Sequence, residues 1–405
     1  MFTTAKKLVV IGVAGALVCG AAGCGSDSPS DSDASTIKIG FIGSLTGPLS
    51  SSGKVSLDGL TAGADYIAEH YPGSKVEIVQ RDTKGEPTAA VAATRALAQE
   101  NVSALYYTTE AFPAVQDVLN QVEVPASTAG GIGPILNDVG DSNRYKYAFS
   151  TGAGTAGETS VIPLLEYAAA SGNPVAMLND SSAYNTAQAE LTASIVAAKY
   201  PQVELVTQSF PTTASDVTAQ LNKLRDSGAK SIIVWSYGSP LVAVMSSLSK
   251  IGWNPRMAGV LGVGDPAAAS LIPAGMKDTL AAGPMAKTFL STSPGASPSG
   301  VTAEFVDRFR KASGKDDFVA LDTVGATSFD WVLLVHQASE NSHSADPNKI
   351  KDALVSGEPF DGANGTYVFG PDQRIGIGAD QLATFLPAQP CTNGTCASAD
   401  LPATS

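Results

Sequence analysis

The sequence predicts an α/β protein of two doubly wound parallel-sheet lobes, and three observations carry that expectation. Short β-like runs alternate with amphipathic helical patterns through most of the chain, as parallel sheets covered by helices require. Two breaks interrupt the alternation, TGAGTAG at residues 151–157 and STSPGASPSG at residues 291–300, with a βα run of about domain size between them. The 405 residues, 44% of them apolar, suffice for a sizeable core and about two or three domains.

The first strand is expected at residues 37–42. Leu57, Leu60, Ala64, Ile67 and Tyr71 recur three and four apart, so a helix with one apolar face follows and stops at Tyr71-Pro72-Gly73. Further strands are expected at 76–80, 104–107, 147–149, 175–178, 203–209, 231–235 and 257–260. Helices at 87–100, 113–122, 158–170, 187–200, 214–227 and 240–250 separate most of them. Pro87, Pro113 and Pro240 suit a first helical turn, where a missing N–H loses no intrahelical partner. Beyond the second break come helices at 301–312 and 321–338, a shorter one near 348–355, and a turn-rich, β-like tail at 364–385.

The N-terminus has a different composition. Lys6 and Lys7 precede the apolar run LVVIGVAGALVCGAAG, residues 8–23, which is shorter than the roughly 20 residues of a spanning helix and reads as a secretory signal, residues 1–23. Ala21, Ala22 and Gly23 before Cys24 resemble the lipobox of bacterial lipoproteins, with Ala21 where Leu is usual, so Cys24 is expected to carry lipid. Residues 24–35 then form a polar, acidic tether too poor in apolar surface to fold. The 25 basic residues less Lys6 and Lys7 leave 23 against 38 acidic ones, a formal charge of −15 that disfavours nucleic acid as a partner. Cys391 and Cys396, in CTNGTC, are a possible disulfide that would pin the tail.

Catalytic and cofactor chemistry is poorly supplied. IGFIGSLTGPLSSSGKVSLDG, residues 39–59, has the strand, loop and Gly-Lys of a phosphate-binding loop. However, five residues separate Gly47 from Gly53-Lys54, and Val55 stands where a magnesium-binding hydroxyl is needed. Gly40, Gly43 and Gly47 miss the dinucleotide spacing. His70, His336 and His343 have no Cys or carboxylate at a zinc-binding spacing, and no G-x-S-x-G elbow occurs. No catalytic residue, metal or cofactor is assigned.

Polar groups do gather at the C-terminal ends of strands, where open α/β sheets bind ligands. Residues 44–52 follow the first strand, Thr108 and Thr109 the third, and Gly130, Gly131 and Ile132 follow VPASTA. Tyr184 and Tyr237 occupy loops after later strands. Singly, each glycine reads as a turn residue and each tyrosine as rim or core. Five loops at equivalent strand ends in two lobes read as a cleft.

Five stretches carry a family resemblance: IKIGFIGSLTGPLSSSGKVSLDGLTAGADYIAE, VQRDTKGEPTAAVAATRALAQE, VPASTAGGIGPIL, VAMLNDSSAYNTAQAELT and SDVTAQLNKLRDSGAKSIIVWSYGSP. On these, and on the closing DPNKIKDALVSGEPFDGANGTYVFGPDQR, the chain resembles the solute-binding proteins of ABC importers. The resemblance is to the branched-chain amino acid (leucine/isoleucine/valine) type, of periplasmic-binding-protein type I fold.

The resemblance implies lobe 1 from residues 36–152 plus 285–378, lobe 2 from 153–284 plus 379–397, and a multi-strand hinge that closes them on a small solute. Thr108 matches a hydroxyl on the ligand carboxylate, with Thr109 beside it. Gly130 and Ile132, flanking Gly131, match the pair whose backbone meets the ligand's carboxylate and amino ends. Tyr184 and Tyr237 match the capping aromatics, and Ser52 falls where amino acid binders often carry an aromatic ring.

Ile132 replaces the usual Thr, and Leu261 stands where an acid neutralises an α-ammonium, with Asp265 or Glu110 as the available substitutes. If neither substitutes, the ligand is a carboxylate or amide with an apolar or aromatic body. The implied partners are permease and ATPase subunits and, through the lipid, the extracytoplasmic face of the bacterial cell membrane (the periplasm if Gram-negative). The chain is expected to act as a monomer, without enzymatic activity. A receptor component of the same fold is the alternative, and a hydrolase ranks below both.

Overall fold

Two separate sheets organise the chain. A computed structural model describes residues 36–46, 50–108, 111–128, 145–153, 157–264, 269–293 and 295–399. The first sheet joins β1 (Thr36–Gly43), β2 (Lys75–Asp82), β3 (Ala104–Tyr107) and β4 (Ala126–Thr128) in the order β2-β1-β3-β4, all parallel. Strands β1 and β3 send buried apolar side chains to both faces. Ile37, Ile39 and Phe41 with Ala104 and Tyr106 enter one core cluster, while Ile42 with Leu105 and Tyr107 enters another. The period of two in a strand thus feeds two helix layers.

Helix α1 (Ser50–His70) covers the first face together with helices Gly300–Ser313 and Val324–Ser342, while α2 (Pro87–Gln99) and α3 (Gln116–Val122) cover the second. A Cβ on Gly59 would lie 2.1 Å from the Gly325 carbonyl oxygen, so the crossing of α1 with Val324–Ser342 requires glycine there.

The second sheet runs β13-β9-β8-β7-β5-β6, from β5 (Val175–Asp180), β6 (Leu205–Phe210), β7 (Ser231–Trp235), β8 (Arg256–Val260), β9 (Leu280–Ala286) and β13 (Leu382–Phe385). Only the β9–β13 pair is antiparallel. The same alternation recurs: Ala176, Leu178, Ile232 and Val234 face the large core, and Val175, Met177, Ile233 and Trp235 face the helix layer that includes Gly157–Ala169. In both sheets the parallel strands bring their C-terminal turns to one edge.

The elements depart from the periodicity in several places. α1 begins at Ser50, before the first apolar repeat at Leu57. The segment after Pro113 splits into a 3₁₀ turn, Phe112–Ala114, and α3. β4 and β9 were not expected as strands, and 147–149, expected as one, makes only isolated bridges at Ala148 and Ser150.

A polar pin fastens the hairpin of β11 (Phe360–Gly362) and β12 (Gly365–Tyr367). Buried Asp330 accepts from the backbone N–H groups of Ala363 (2.6 Å) and Asn364 (3.0 Å) and from Asn364 Nδ2 (3.1 Å). The Tyr367 hydroxyl lies 2.8 Å from Asp330 Oδ2 and 3.0 Å from the Thr151 carbonyl oxygen. Cys391 and Cys396 are joined by a disulfide.

Candidate ligand-binding site

The first group of expected site residues lies around the turn after β1. Asp82, at the end of the neighbouring β2, accepts from Leu45 N (2.9 Å), Thr46 Oγ1 (2.6 Å) and Lys84 N (2.9 Å). The Thr46 hydroxyl and these backbone donors hold its carboxyl down at about 2. The first turn of α1 carries half-buried Ser52 and buried Gly53. A Cβ on Gly53 would stand 1.8 Å from the Ser44 carbonyl oxygen, so this glycine seats the helix start against the turn. Its role is close packing inside a helix, not a phosphate cradle. Thr108 follows β3, fully buried, with its N–H donating to Ile42 O at 3.1 Å.

A second group of expected site residues is built on β5 and β7. Asp180, the last residue of β5 and only 2% exposed, accepts from Ser182 N (2.9 Å), Asn185 Nδ2 (2.8 Å) and Ser236 Oγ (2.8 Å). It therefore ties the turn after β5 to the turn after β7. Ser182 also caps helix Ala183–Lys199, accepting from Asn185 N at 3.3 Å.

The consequence is that Tyr184 and Tyr237 meet edge to face, with ring centroids 6.4 Å apart and an interplanar angle of 62°. Tyr184 is partly buried, and desolvation pushes its phenol up to about 12. Tyr237 is 49% exposed; burial of its hydroxyl end and then the nearby Asp180 charge raise its phenol above the usual value. Both phenols stay protonated near neutral pH, as hydrogen-bond donors with apolar faces.

Leu261 opens a 3₁₀ turn, Leu261–Gly264, directly after β8. It is partly buried, packs on the large core, and lines a narrow crevice with Ala153, Pro284, Thr323 and Thr327. A Cβ on Gly262 would be 3.8 Å from Tyr237 Cβ, which places this turn beside the tyrosine pair.

Thr109, Glu110, Gly130, Gly131, Ile132 and Asp265, along with Cys24, lie outside the described residues. Among the expected site residues that are described, Tyr184 and Tyr237 come together, with the Leu261 turn beside them. Ser52 and Thr108 belong to the first sheet's turns. Sequence reading missed Asp82 and Asp180 as the residues that position the loops. Each ends a strand and precedes a turn, but that signal alone does not separate a loop tie from a ligand contact. Among the described residues, no group of three or more His, Cys, Asp or Glu could hold a metal ion.

A family model described as "Periplasmic binding protein" matches residues 36–383. The chain belongs to this periplasmic binding protein family. The curated relatives of this family member include "Leu/Ile/Val-binding protein homolog 6" of Brucella suis biovar 1, 26% identical over 360 residues, covering 84% of this chain and 85% of the relative.

Solved structures share the fold. A periplasmic binding protein type 1 from Bordetella pertussis Tohama I gives a TM-score of 0.70 at 19% identity, covering 87% and 96% of the two chains. The branched-chain amino acid transporter substrate-binding protein LivJ from Streptococcus pneumoniae, in complex with isoleucine, gives 0.66 at 20% identity, covering 89% and 97%. A solute-binding protein of an ABC transporter from Rhodopseudomonas palustris BisB5, in complex with 3,4-dihydroxybenzoic acid, gives 0.62 at 18% identity, covering 84% and 90%. This periplasmic binding protein thus has the type I fold of two parallel-sheet bodies.

Proposed function

We propose that the chain captures a small carboxylate or amide with an apolar or aromatic body between two lobes and delivers it to an ABC importer. The lobes are residues 36–152 plus 285–378 and residues 153–284 plus 379–397. The carrying observation is the tyrosine pair fixed by Asp180, with Leu261 beside it. The rings supply apolar faces and phenol donors, and Asp180, the buried acid next to them among the described residues, is committed to three protein donors. A buried α-ammonium facing Leu261 would need Asp265 or Glu110 as its counter-charge, and without one would cost several kcal/mol. The 3,4-dihydroxybenzoic acid in the Rhodopseudomonas palustris protein is a ligand of the favoured kind, whereas the isoleucine in the Streptococcus pneumoniae protein is of the disfavoured kind.

The test is a thermal-shift screen across aromatic acids, amides, short-chain carboxylates and amino acids. A ligand at about a thousand times its dissociation constant adds roughly 4 kcal/mol of stability. Aromatic acids or amides should raise the melting temperature, and leucine, isoleucine and valine should not. A strong shift with any of those three would overturn this reading of the ligand. The chain acts as a monomer held at the extracytoplasmic membrane face through lipidated Cys24. In cells fed labelled fatty acid, Cys24→Ala should lose both the label and the membrane fraction; an unlabelled wild-type chain would end the anchoring proposal.

A further inference from the structure

A groove lies apart from the tyrosine pair, between the last turns of α1, helix Val324–Ser342 and the start of the β11 hairpin. α1 leaves the C-terminal turn of β1 and runs back along the first sheet, so Tyr66 sits about 20 Å along its axis from Ser52. The groove holds about 350 Å³, near the lower end of the range for small-ligand sites. Tyr71, 45% exposed, exposed Pro359, and half-buried Val301 and Phe360 give it apolar surface that a ligand can reach.

Its polar side is acidic. Exposed Glu340, in the last turn of Val324–Ser342, lines the groove beside buried His336. Burial lowers the His336 pKa from its ordinary value against the opposing pull of the Glu340 charge, so the ring is neutral near pH 7 and its neighbour the carboxylate is not. His336 Nε2 lies 3.0 Å from Ser74 Oγ, and the Tyr71 ring packs on the imidazole with centroids 4.5 Å apart, which fixes this side of the groove. Exposed Asp361 lines it too, with only Oδ1 engaged by the Thr366 hydroxyl at 2.6 Å. Among the described residues, no lysine or arginine lines the groove, and none pairs with Glu340 or Asp361. Arg308, 5.5 Å from the centre of the Tyr66 ring, is bound to Glu69 and Glu304 at 3.0 Å each.

We propose that this groove binds a primary alkylammonium with a short apolar body, whose N–H donors reach Glu340 and Asp361 while its chain lies on Tyr71, Val301, Pro359 and Phe360. Both acids are solvent-exposed and so open to a ligand, and a bond between an ammonium and a carboxylate is about twice as strong as a neutral one. An anion would meet like charge from both acids. A calcium ion needs about six to eight oxygens, and among the described residues no group of three or more His, Cys, Asp or Glu could hold a metal. A neutral alcohol covers the apolar surface but forgoes the charge.

The test follows the His336 ring resonances of the full folded chain in ¹H–¹³C spectra near pH 7 during titration with n-butylammonium chloride, which carries a lysine-like amine of pKa about 10 and is charged there. The chain has three histidines, and His70→Gln and His343→Gln assign the other two. A saturable shift of the His336 signal at millimolar n-butylammonium is expected, and equal concentrations of sodium chloride or n-butanol should produce none. Glu340→Gln, at an exposed position, should weaken the affinity at least about tenfold. Glu204→Gln, at an exposed position before β6, should leave it unchanged. The proposal fails if no saturable shift appears up to about 50 mM, if sodium chloride or n-butanol reproduces it, if Glu340→Gln leaves the affinity intact, or if Glu204→Gln weakens it as much.

Discussion

Asp180 and the two tyrosines play different parts, and substitutions separate them. Tyr184→Ala or Tyr237→Ala removes one ring of an edge-to-face pair, so the unliganded protein should lose about 0.5–1.5 kcal/mol of pairing energy besides the area the ring buries, which is smaller for the half-exposed Tyr237. Each should nevertheless weaken the solute found by screening, since each removes a phenol donor and an apolar face. Asp180→Ala behaves otherwise. It strands the Ser236 hydroxyl and the Asn185 amide, both buried, at a cost of roughly 1–3 kcal/mol each. It also unties the loops that bring the rings together. Urea unfolding and ligand titration should therefore show Asp180→Ala losing stability and affinity together, and the tyrosine variants losing mainly affinity. Unaltered affinity in both tyrosine variants would mean that the solute binds elsewhere.

At the scale of elements, two contacts hold the layers in register. Gly59→Ala drives a methyl into the Gly325 carbonyl across the α1 crossing, a backbone clash that no rotamer relieves. It should cost about 1–3 kcal/mol or more in urea unfolding, and a neutral result would show that the helices separate freely. The Asp330 pin gives a pH signature. Burial raises its carboxyl to about 6 in spite of four donors, against 3.8 when exposed. The folded state therefore holds this proton more tightly than the unfolded chain. The stability from this group is fully present below about pH 4 and is lost as pH rises through about 6, a difference of up to about 3 kcal/mol. Asp330→Asn should be less stable throughout and should lack that component. Parallel stability curves for the two proteins between pH 4 and 7 would contradict the assignment.

Across the whole molecule, the parallel architecture was legible because strands such as IKIGFI and SIIVW are apolar on both faces, and the helices between them carry a clear 3.6-residue period. β9 was not. LAAGPMA has no β-branched residue and includes Gly283 and Pro284, yet all seven residues are buried between β8 and β13, so its strand character comes from its neighbours. The tyrosines were legible from their loops; Asp180 was not, because its donors arrive from β7 and the following helix only after folding.

The two-lobed reading has its own consequence at this scale. Segment 148–151 meets 373–377 through the Ser150–Ile375 bridge and the Gly376 N–H to Ser150 O bond at 3.1 Å, and Tyr367 approaches Thr151 from the Asp330 pin. These paired segments run up to the proposed lobe boundaries after residues 152 and 378, and crossover segments of this kind are where a hinge absorbs backbone rotation while the packed sheets move as bodies. Saturating solute should then reduce the radius of gyration in small-angle scattering while leaving the far-ultraviolet circular dichroism unchanged. Asp180→Ala should show no compaction at the same solute concentration, because the wall that the solute must bridge is untied. If solute binds tightly to the wild type and the radius stays fixed, capture occurs without closure and the proposed hinge is wrong.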